Sequence, residues 1–287
     1  SHTTSQRPYR LSMNSTLVVK LLKFSWPLML SGLLLFLVFH GDRAVVGHYF
    51  SMYELGFFSL VLTAFLLPSQ LLHKVYDSLF ISPLSKAFQQ RDRFESQQFL
   101  IWYSLFALST AYVLFSILLG PWLFIFLFGE KYAPGLNLLP WIVLMVSVRI
   151  LRIATSMLAL ATAQPYCELY ANLVRASALP IAIIGLAMGY PIECVPIAGI
   201  IGEVLALFVG LVSLNLPVSH AVKPPAVSGM IMLWLASMVF ITAEIVIDIN
   251  PPYVSATLAA VLLITMILFF IKQYPKFTIE RGFQNDV

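Results

Sequence analysis

Long apolar runs, broken only by proline, glycine and charged punctuation, constrain this chain more than any other feature. A helix needs about 20 consecutive apolar residues to cross the hydrocarbon core of a bilayer. Eight such runs can be read: Phe24–His48, Leu55–Leu72, Phe99–Leu119, Leu136–Ala161, Tyr166–Met188, Ile192–Leu216, Ala226–Ile247 and Tyr253–Ile271. Strands of a membrane barrel would instead alternate lipid-facing and lumen-facing residues over about 10 positions, and these runs do not alternate. Composition points the same way. A soluble domain carries about 25% charged residues, whereas this chain carries 10%, with 60% hydrophobic residues and a mean hydropathy of +0.88. So few charges cannot cover a globule of 32.1 kDa. The sequence predicts an all-α, polytopic membrane helix bundle of about eight transmembrane helices.

Orientation follows from lysine and arginine, which resist translocation when they sit in short loops. With the N-terminus inside, the cytoplasmic segments hold Arg7, Arg10, Lys20 and Lys23, then Lys74, Lys86, Arg91 and Arg93, then Lys223, and finally Lys272, Lys276 and Arg281. The opposite side holds only Arg43 and Lys131. The bias predicts an N-in, C-in topology, and an even number of spans agrees with it. The domain reading is a cytoplasmic segment over 1–23, a six-helix lobe over 24–216, a proline-rich hinge over 217–225, two additional transmembrane helices over 226–271 and a cytoplasmic tail over 272–287. The polar stretch Lys74–Gln98 reads as an amphipathic helix or loop on the cytoplasmic surface, and Trp122–Phe128 as an interfacial extension of the third span. No cleavable signal peptide is evident. The polar start without an initiator Met reads as a cut within a longer polypeptide.

Several chemistries find no support. The basic residues are not interleaved with aromatics on a polar face, so the net charge of +4 reports topology and not a nucleic-acid partner. Cys167 and Cys194 flank one span and so should lie roughly 30 Å apart at 1.5 Å per residue, too far for a disulfide. Neither they nor His40 and His48 show metal-ligand spacing. No phosphate-cradling glycine loop, HExxH or CxxC motif occurs. The expectation is a protein that is not an enzyme, with no cofactor and no metal.

Three arginines fall inside predicted spans. A charge at the bilayer centre costs at least ~3 kcal/mol, so it normally faces a bundle interior or an aqueous cavity. Arg149, Arg152 and Ser156 recur at i, i+3 and i+7, and so do Glu168, Asn172 and Arg175 on the next span; each set shares one helical face. Facing stripes would form a hydrated, partly basic cavity. Arginine suits a diphosphate because its planar fork donates two parallel hydrogen bonds and stays charged. The plainer reading is that Arg149 or Arg175 pairs with Glu168 or Glu203 to lock helices together, and both readings stay open. Asp42-Arg43 forms a second constellation near the outer end of the first span. Arg43 could meet a headgroup and Asp42 could bind a coupling cation, or the two could form an interfacial ion pair. Glu203 lies deep, after Gly199 and Gly202, and is a reasonable partner for Arg175. Small residues at Gly185/Gly189 and Ala198/Gly202 allow close helix approach.

The run FSWPLMLSGLLLFLVFHGDRAVVGHYFSMYELGFFSLV resembles the start of the C-terminal lobe of Wzx-type polysaccharide flippases of the MOP exporter superfamily. The features that carry the likeness are Pro27, the Asp42-Arg43 pair, Gly47 and the Glu54-Leu55-Gly56-Phe57-Phe58-Ser59 stretch. LFGEKYAPGLNLLPWI resembles the family's FG-x-x-Y loop, and YPIECVPIAGIIGEVLAL its glycine-rich re-entry helix. The resemblance covers roughly Leu17 to Leu216, and the last two spans match extra C-terminal helices of fourteen-span members. It implies a flippase for undecaprenyl-diphosphate-linked oligosaccharide in a bacterial or archaeal inner membrane, serving polysaccharide biosynthesis such as that of O-antigen. The implied cationic cavity would draw on Arg43, Arg149, Arg152 and Arg175, with Asp42, Glu168 and Glu203 as coupling or ion-pair partners; no family motif maps onto these positions. Members have two six-helix lobes and only the second is present, so a missing N-terminal lobe or a second copy would be needed for alternating access. The competing expectations are a cation-coupled drug exporter of the same superfamily, a membrane-embedded glycosyltransferase and a non-transporting lobe that scaffolds a partner. Three intramembrane arginines against one deep glutamate favour anionic cargo over the drug exporter, and short outer loops disfavour the transferase.

Overall fold

The computed structural model describes residues 15–215 and Trp234. Among them the structure is helical: α1 (Ser15–Tyr49), α2 (Met52–Ala87), α3 (Arg91–Leu118), α4 (Gly120–Phe128), a 3-10 helix (Glu130–Leu138), α5 (Leu139–Ala161), α6 (Pro165–Ala176), α7 (Ala178–Ala187) and α8 (Cys194–Ser213). Six helical segments are long and apolar enough to cross a membrane: Val18–Tyr49, Met52–Ala87, Asp92–Leu118, Glu130–Ala161, Pro165–Ala187 and Cys194–Ser213. They match the six predicted spans of the lobe. Of the seventh and eighth spans, the hinge and the tail, only Trp234 lies within the described residues; it is buried and donates its indole N–H to Thr110 Oγ1 on α3 at 3.3 Å.

α5 is the central helix. Its apolar window is wholly buried, and it packs against α2, α3 and α8, while α6 packs on α1 and α8. Its apolar residues occupy every side but the Arg149, Arg152 and Ser156 stripe, and that stripe is buried too, so the whole helix sits in the middle of the bundle. α1 is the reverse case. Only a narrow strip through Pro27, Ser31, Val38 and Val46 is buried, and Met29, Leu33, Phe36 and Leu37 stand exposed.

Local chemistry explains the boundaries. Ser51 and Glu54 form a reciprocal capping box at the start of α2: Ser51 N–H donates to Glu54 Oε2 at 2.9 Å, and Glu54 N–H donates to Ser51 Oγ at 3.3 Å. Two orphan amides of the first turn are satisfied this way. α7 ends in a Schellman pattern. Gly189 takes φ +86°, its N–H reaches Leu186 O at 3.0 Å, and Tyr190 N–H reaches Gly185 O at 3.1 Å.

Two expectations are sharpened. Lys74–Gln98, expected as an amphipathic helix or a loop, is not loop: α2 runs on to Ala87 and α3 resumes at Arg91. At 36 residues α2 is about 54 Å long, well beyond a hydrocarbon core of about 30 Å. Tyr76, Leu84 and Ala87 carry its buried stripe onward at helical spacing, and Phe88 closes the tight corner edge-on against Phe94 at 5.2 Å. Nor is Tyr166–Met188 one continuous helix; it breaks at Ser177. Pro180 lacks an N–H, and its ring clashes with the carbonyl four residues back. That carbonyl belongs to Ala176, the last residue of α6.

Candidate functional site

The polar stripes of α5 and α6 meet a single carboxylate on α8. Glu203 Oε1 lies 2.7 Å from Arg149 Nε and 2.7 Å from Arg175 Nε, and its Oε2 lies 3.4 Å from Arg152 Nε. One acid therefore holds three guanidinium groups from two other helices. Arg152 also reaches the second carboxylate, donating from Nη1 to Glu168 Oε1 at 3.3 Å. Glu168 is held in turn by Ser156 Oγ at 2.6 Å and Asn172 Nδ2 at 2.9 Å, and Asn172 donates to Ser31 Oγ on α1 at 2.6 Å. The ring of Phe39 of α1 lies against two of the cations, 5.0 Å from Arg149 Cζ and 5.2 Å from Arg175 Cζ. Both contacts have cation–π geometry.

This convergence requires close helix approach, and Gly202 supplies it. A Cβ at Gly202 would stand 2.9 Å from the Arg175 carbonyl oxygen and 2.9 Å from Ala178 Cβ. Glycine at this point lets α8 lie against the end of α6, one residue before Glu203 itself. Arg175 sits in the last turn of α6, where the helix dipole favours a cation.

The cluster is dry. Arg175 is 2% exposed, Arg152 4% and Glu203 1%. Each of the three arginines thus has a carboxylate partner, as the interhelical-lock reading expects. Three guanidinium groups contact two carboxylates directly, and a third acid, Asp42, stands in the field of Arg149 and Arg175. Arg149 Nη1 and Arg175 Nη2 are buried with no hydrogen-bond partner among the described residues, and so is the carboxylate oxygen Glu203 Oε2. Buried charges are tolerated when paired and hydrogen-bonded, so this fork-rich, partly unpaired arrangement suits a further anionic oxygen.

The sequence-predicted residues divide into three groups. Arg149, Arg152, Arg175, Glu168 and Glu203 come together. Asp42 lies at the edge of the cluster, in the field of Arg149, Arg175 and Glu203. Arg43 joins none of those ion pairs and does not close on Asp42 as an interfacial pair would; its Nη2 donates to Thr63 Oγ1 of α2 at 2.7 Å. Cys167 and Cys194 are free thiols. Sequence reasoning missed His73 and Asp77 of α2, which pair across one helical turn at 3.6 Å and are each a little over one-third exposed. His73 lies in the field of Arg152 and Glu168, so the polar layer extends to α2. Their i, i+4 spacing was the available signal, obscured because the second predicted span ended at Leu72, before both residues.

Residues 1–137, just under half of the chain, match a family model described as polysaccharide biosynthesis protein. The matched segment contains Asp42, Arg43 and the His73–Asp77 pair but ends before α5. No curated protein and no solved structure matches the chain.

Proposed function

We propose that this chain is a transporting lobe of a lipid-linked oligosaccharide flippase that serves polysaccharide biosynthesis at the inner membrane of a bacterial or archaeal cell. The cargo class is a polyprenyl diphosphate bearing a sugar chain. The single observation that carries the proposal is the buried cluster in which Arg149, Arg152 and Arg175 converge, with fork nitrogens left over, inside a polytopic helical bundle. The family match over residues 1–137 supports the pathway. In this reading the diphosphate exchanges with Glu203 or Glu168 as partner of the guanidinium forks, which bind phosphate oxygens bidentately. The protein performs no covalent chemistry, the N-terminus and C-terminus both face the cytoplasm, and a second lobe or a second copy completes the moving pair.

One observation favours a second reading. The 2.7 Å contacts of Arg149 and Arg175 with Glu203 also serve a lobe whose cluster only clamps α5, α6 and α8 together. Conservative substitution separates the two. Arg149→Lys keeps the charge and loses the fork. The flippase reading expects surface polysaccharide to fall at least tenfold with protein level unchanged, measured by glycan staining beside immunoblotting. The clamp reading expects full polysaccharide wherever the protein is folded.

A further inference from the structure

Between Thr63 and Ser69, α2 departs repeatedly from a plain helical ladder. Pro68 has no N–H, so the carbonyl of Ala64 loses its donor within the helix, and the proline ring presses on that same carbonyl. The next carbonyl, Phe65 O, accepts the hydroxyl of Tyr112 from α3 at 2.9 Å. The one after it, Leu66 O, accepts Ser69 Oγ at 2.8 Å. Just before them, Thr63 Oγ1 donates back to Ser59 O at 2.7 Å. Prolines, side chains inserted into the ladder and back-bonding hydroxyls each bend helices, and here they act on one stretch of backbone. The part of α2 before this stretch is pinned. Tyr53 Oη donates to Lys131 O at 2.7 Å, and Thr63 Oγ1 accepts from Arg43 Nη2 at 2.7 Å. Gly135 brings the 3-10 helix so close that a Cβ there would stand 2.9 Å from Val61. Phe57, Phe58, Val61, Leu62, Phe65 and Leu66 are all buried on this side. Beyond Pro68 the buried positions thin out to Ser69, Tyr76, Leu84 and Ala87, and Leu71, Val75 and Leu79 stand exposed. Tyr112 itself comes from a fixed part of α3, because Ser109 Oγ, one turn back, donates to Ser147 O of α5 at 2.8 Å.

We infer that α2 is a two-part helix hinged over residues 64–69, with the Tyr112 hydroxyl as the latch that holds it in the conformation seen here. Residues 52–63, on the side predicted to be extracytoplasmic, are the fixed part. Residues 70–87 are the part that turns. They carry the His73–Asp77 pair with them, and the tight corner at Phe88 and Phe94 makes the start of α3 follow. A buried tyrosine hydroxyl needs a partner, and a carbonyl in a distorted turn needs a donor; the latch meets both needs with one contact that can break and re-form. His73 lies in the field of Arg152 and Glu168, so turning the inner segment changes what faces that end of the buried cluster. The hinge is independent of the cargo and stands whether or not the chain is a flippase.

The test measures distances in the full chain, reconstituted in lipid with Cys167→Ala and Cys194→Ala and carrying pairs of spin labels read by pulsed electron resonance. The inner pair is Leu79→Cys on α2 with Val212→Cys near the end of α8, and the outer pair is Met52→Cys with Met188→Cys; all four positions are exposed. Leu79 lies about 16.5 Å along the helix axis from Pro68. A turn of about 20° at the hinge, the size of a sharp kink, therefore moves it by about 5–6 Å. Pro68→Ala restores the missing N–H and raises helix propensity, so it keeps the fold and is expected to narrow the inner-pair distance distribution about twofold. Tyr112→Phe removes only the hydroxyl and is expected to broaden that distribution by about 5 Å, the hinge displacement itself. The outer pair should not change in either variant. Inner distributions unchanged in both variants, or an outer pair that moves as far as the inner one, would overturn the hinge. An effect of Pro68→Ala without one of Tyr112→Phe would overturn the latch alone, and the reverse would remove Pro68 as the pivot.

Discussion

Glu203 is the residue on which the polar core turns. Three cations lean on it at 2.7, 2.7 and 3.4 Å, and it is 1% exposed. Removing one partner of a buried ion pair costs about 3–5 kcal/mol, because the charges left behind are neither solvated nor paired. Glu203→Gln keeps the shape and removes the charge, so it is expected to lower stability by roughly that amount, read as an earlier thermal unfolding transition in detergent. Glu168→Gln should cost less, since Arg152 retains Glu203 and the Ser156 and Asn172 contacts can persist to an amide. Equal costs for the two would show that the charge is shared evenly and not centred on α8. The stripe Arg149, Arg152 and Ser156 was legible from spacing alone, and the depth of Glu203 in its span made it a reasonable partner for Arg175. What spacing could not give was the sharing of one carboxylate among three arginines, because that depends on where α8 lies against α5 and α6.

At the scale of the helices, close approach at Gly202 decides whether the cluster forms. Gly202→Ala brings a methyl to 2.9 Å from a backbone oxygen, which cannot move aside cheaply. Overpacking of this kind costs about 1–3 kcal/mol, and we expect lower folded yield by size-exclusion chromatography. Gly32→Ala is the matched control, with nothing within 4 Å of its new methyl; it should be neutral or slightly stabilising through higher helix propensity. Comparable losses in both would mean that backbone freedom, not helix approach, sets the effect. Helix existence was legible because hydropathy runs are long and unambiguous. Helix ends were less so. The polar stretch from Lys74 to Gln98 read as amphipathic helix or loop, and the buried stripe through Tyr76, Leu84 and Ala87 decides for helix as far as Ala87. Pro180 was visible in the sequence, but its effect four residues upstream, the break at Ser177, was masked by continuous hydrophobicity.

For the whole molecule, the bundle is one-sided. α5 is enclosed and α1 is mostly open. The N-in, C-in reading predicts that Gln90→Cys, in the corner between α2 and α3, and Lys131→Cys, in the 3-10 helix, label from opposite sides of the membrane. Labelling of both from one side would refute the helix count. The described helices reproduce six of the predicted spans, whereas what covers the open face of α1 was not legible, because a helix face open to lipid and one open to a partner look alike in hydropathy.

The most direct measurement follows the cargo itself. Membranes from cells carrying the intact protein, or its Arg152→Lys variant, would be assayed for the leaflet in which a polyprenyl-diphosphate-linked oligosaccharide resides, using a soluble glycan-cleaving enzyme that cannot cross the bilayer. The account predicts that the parent moves the oligosaccharide to the outer leaflet and that Arg152→Lys leaves it accumulated on the cytoplasmic leaflet at equal protein level. An Arg152→Lys protein that flips the lipid at the parent rate would contradict it.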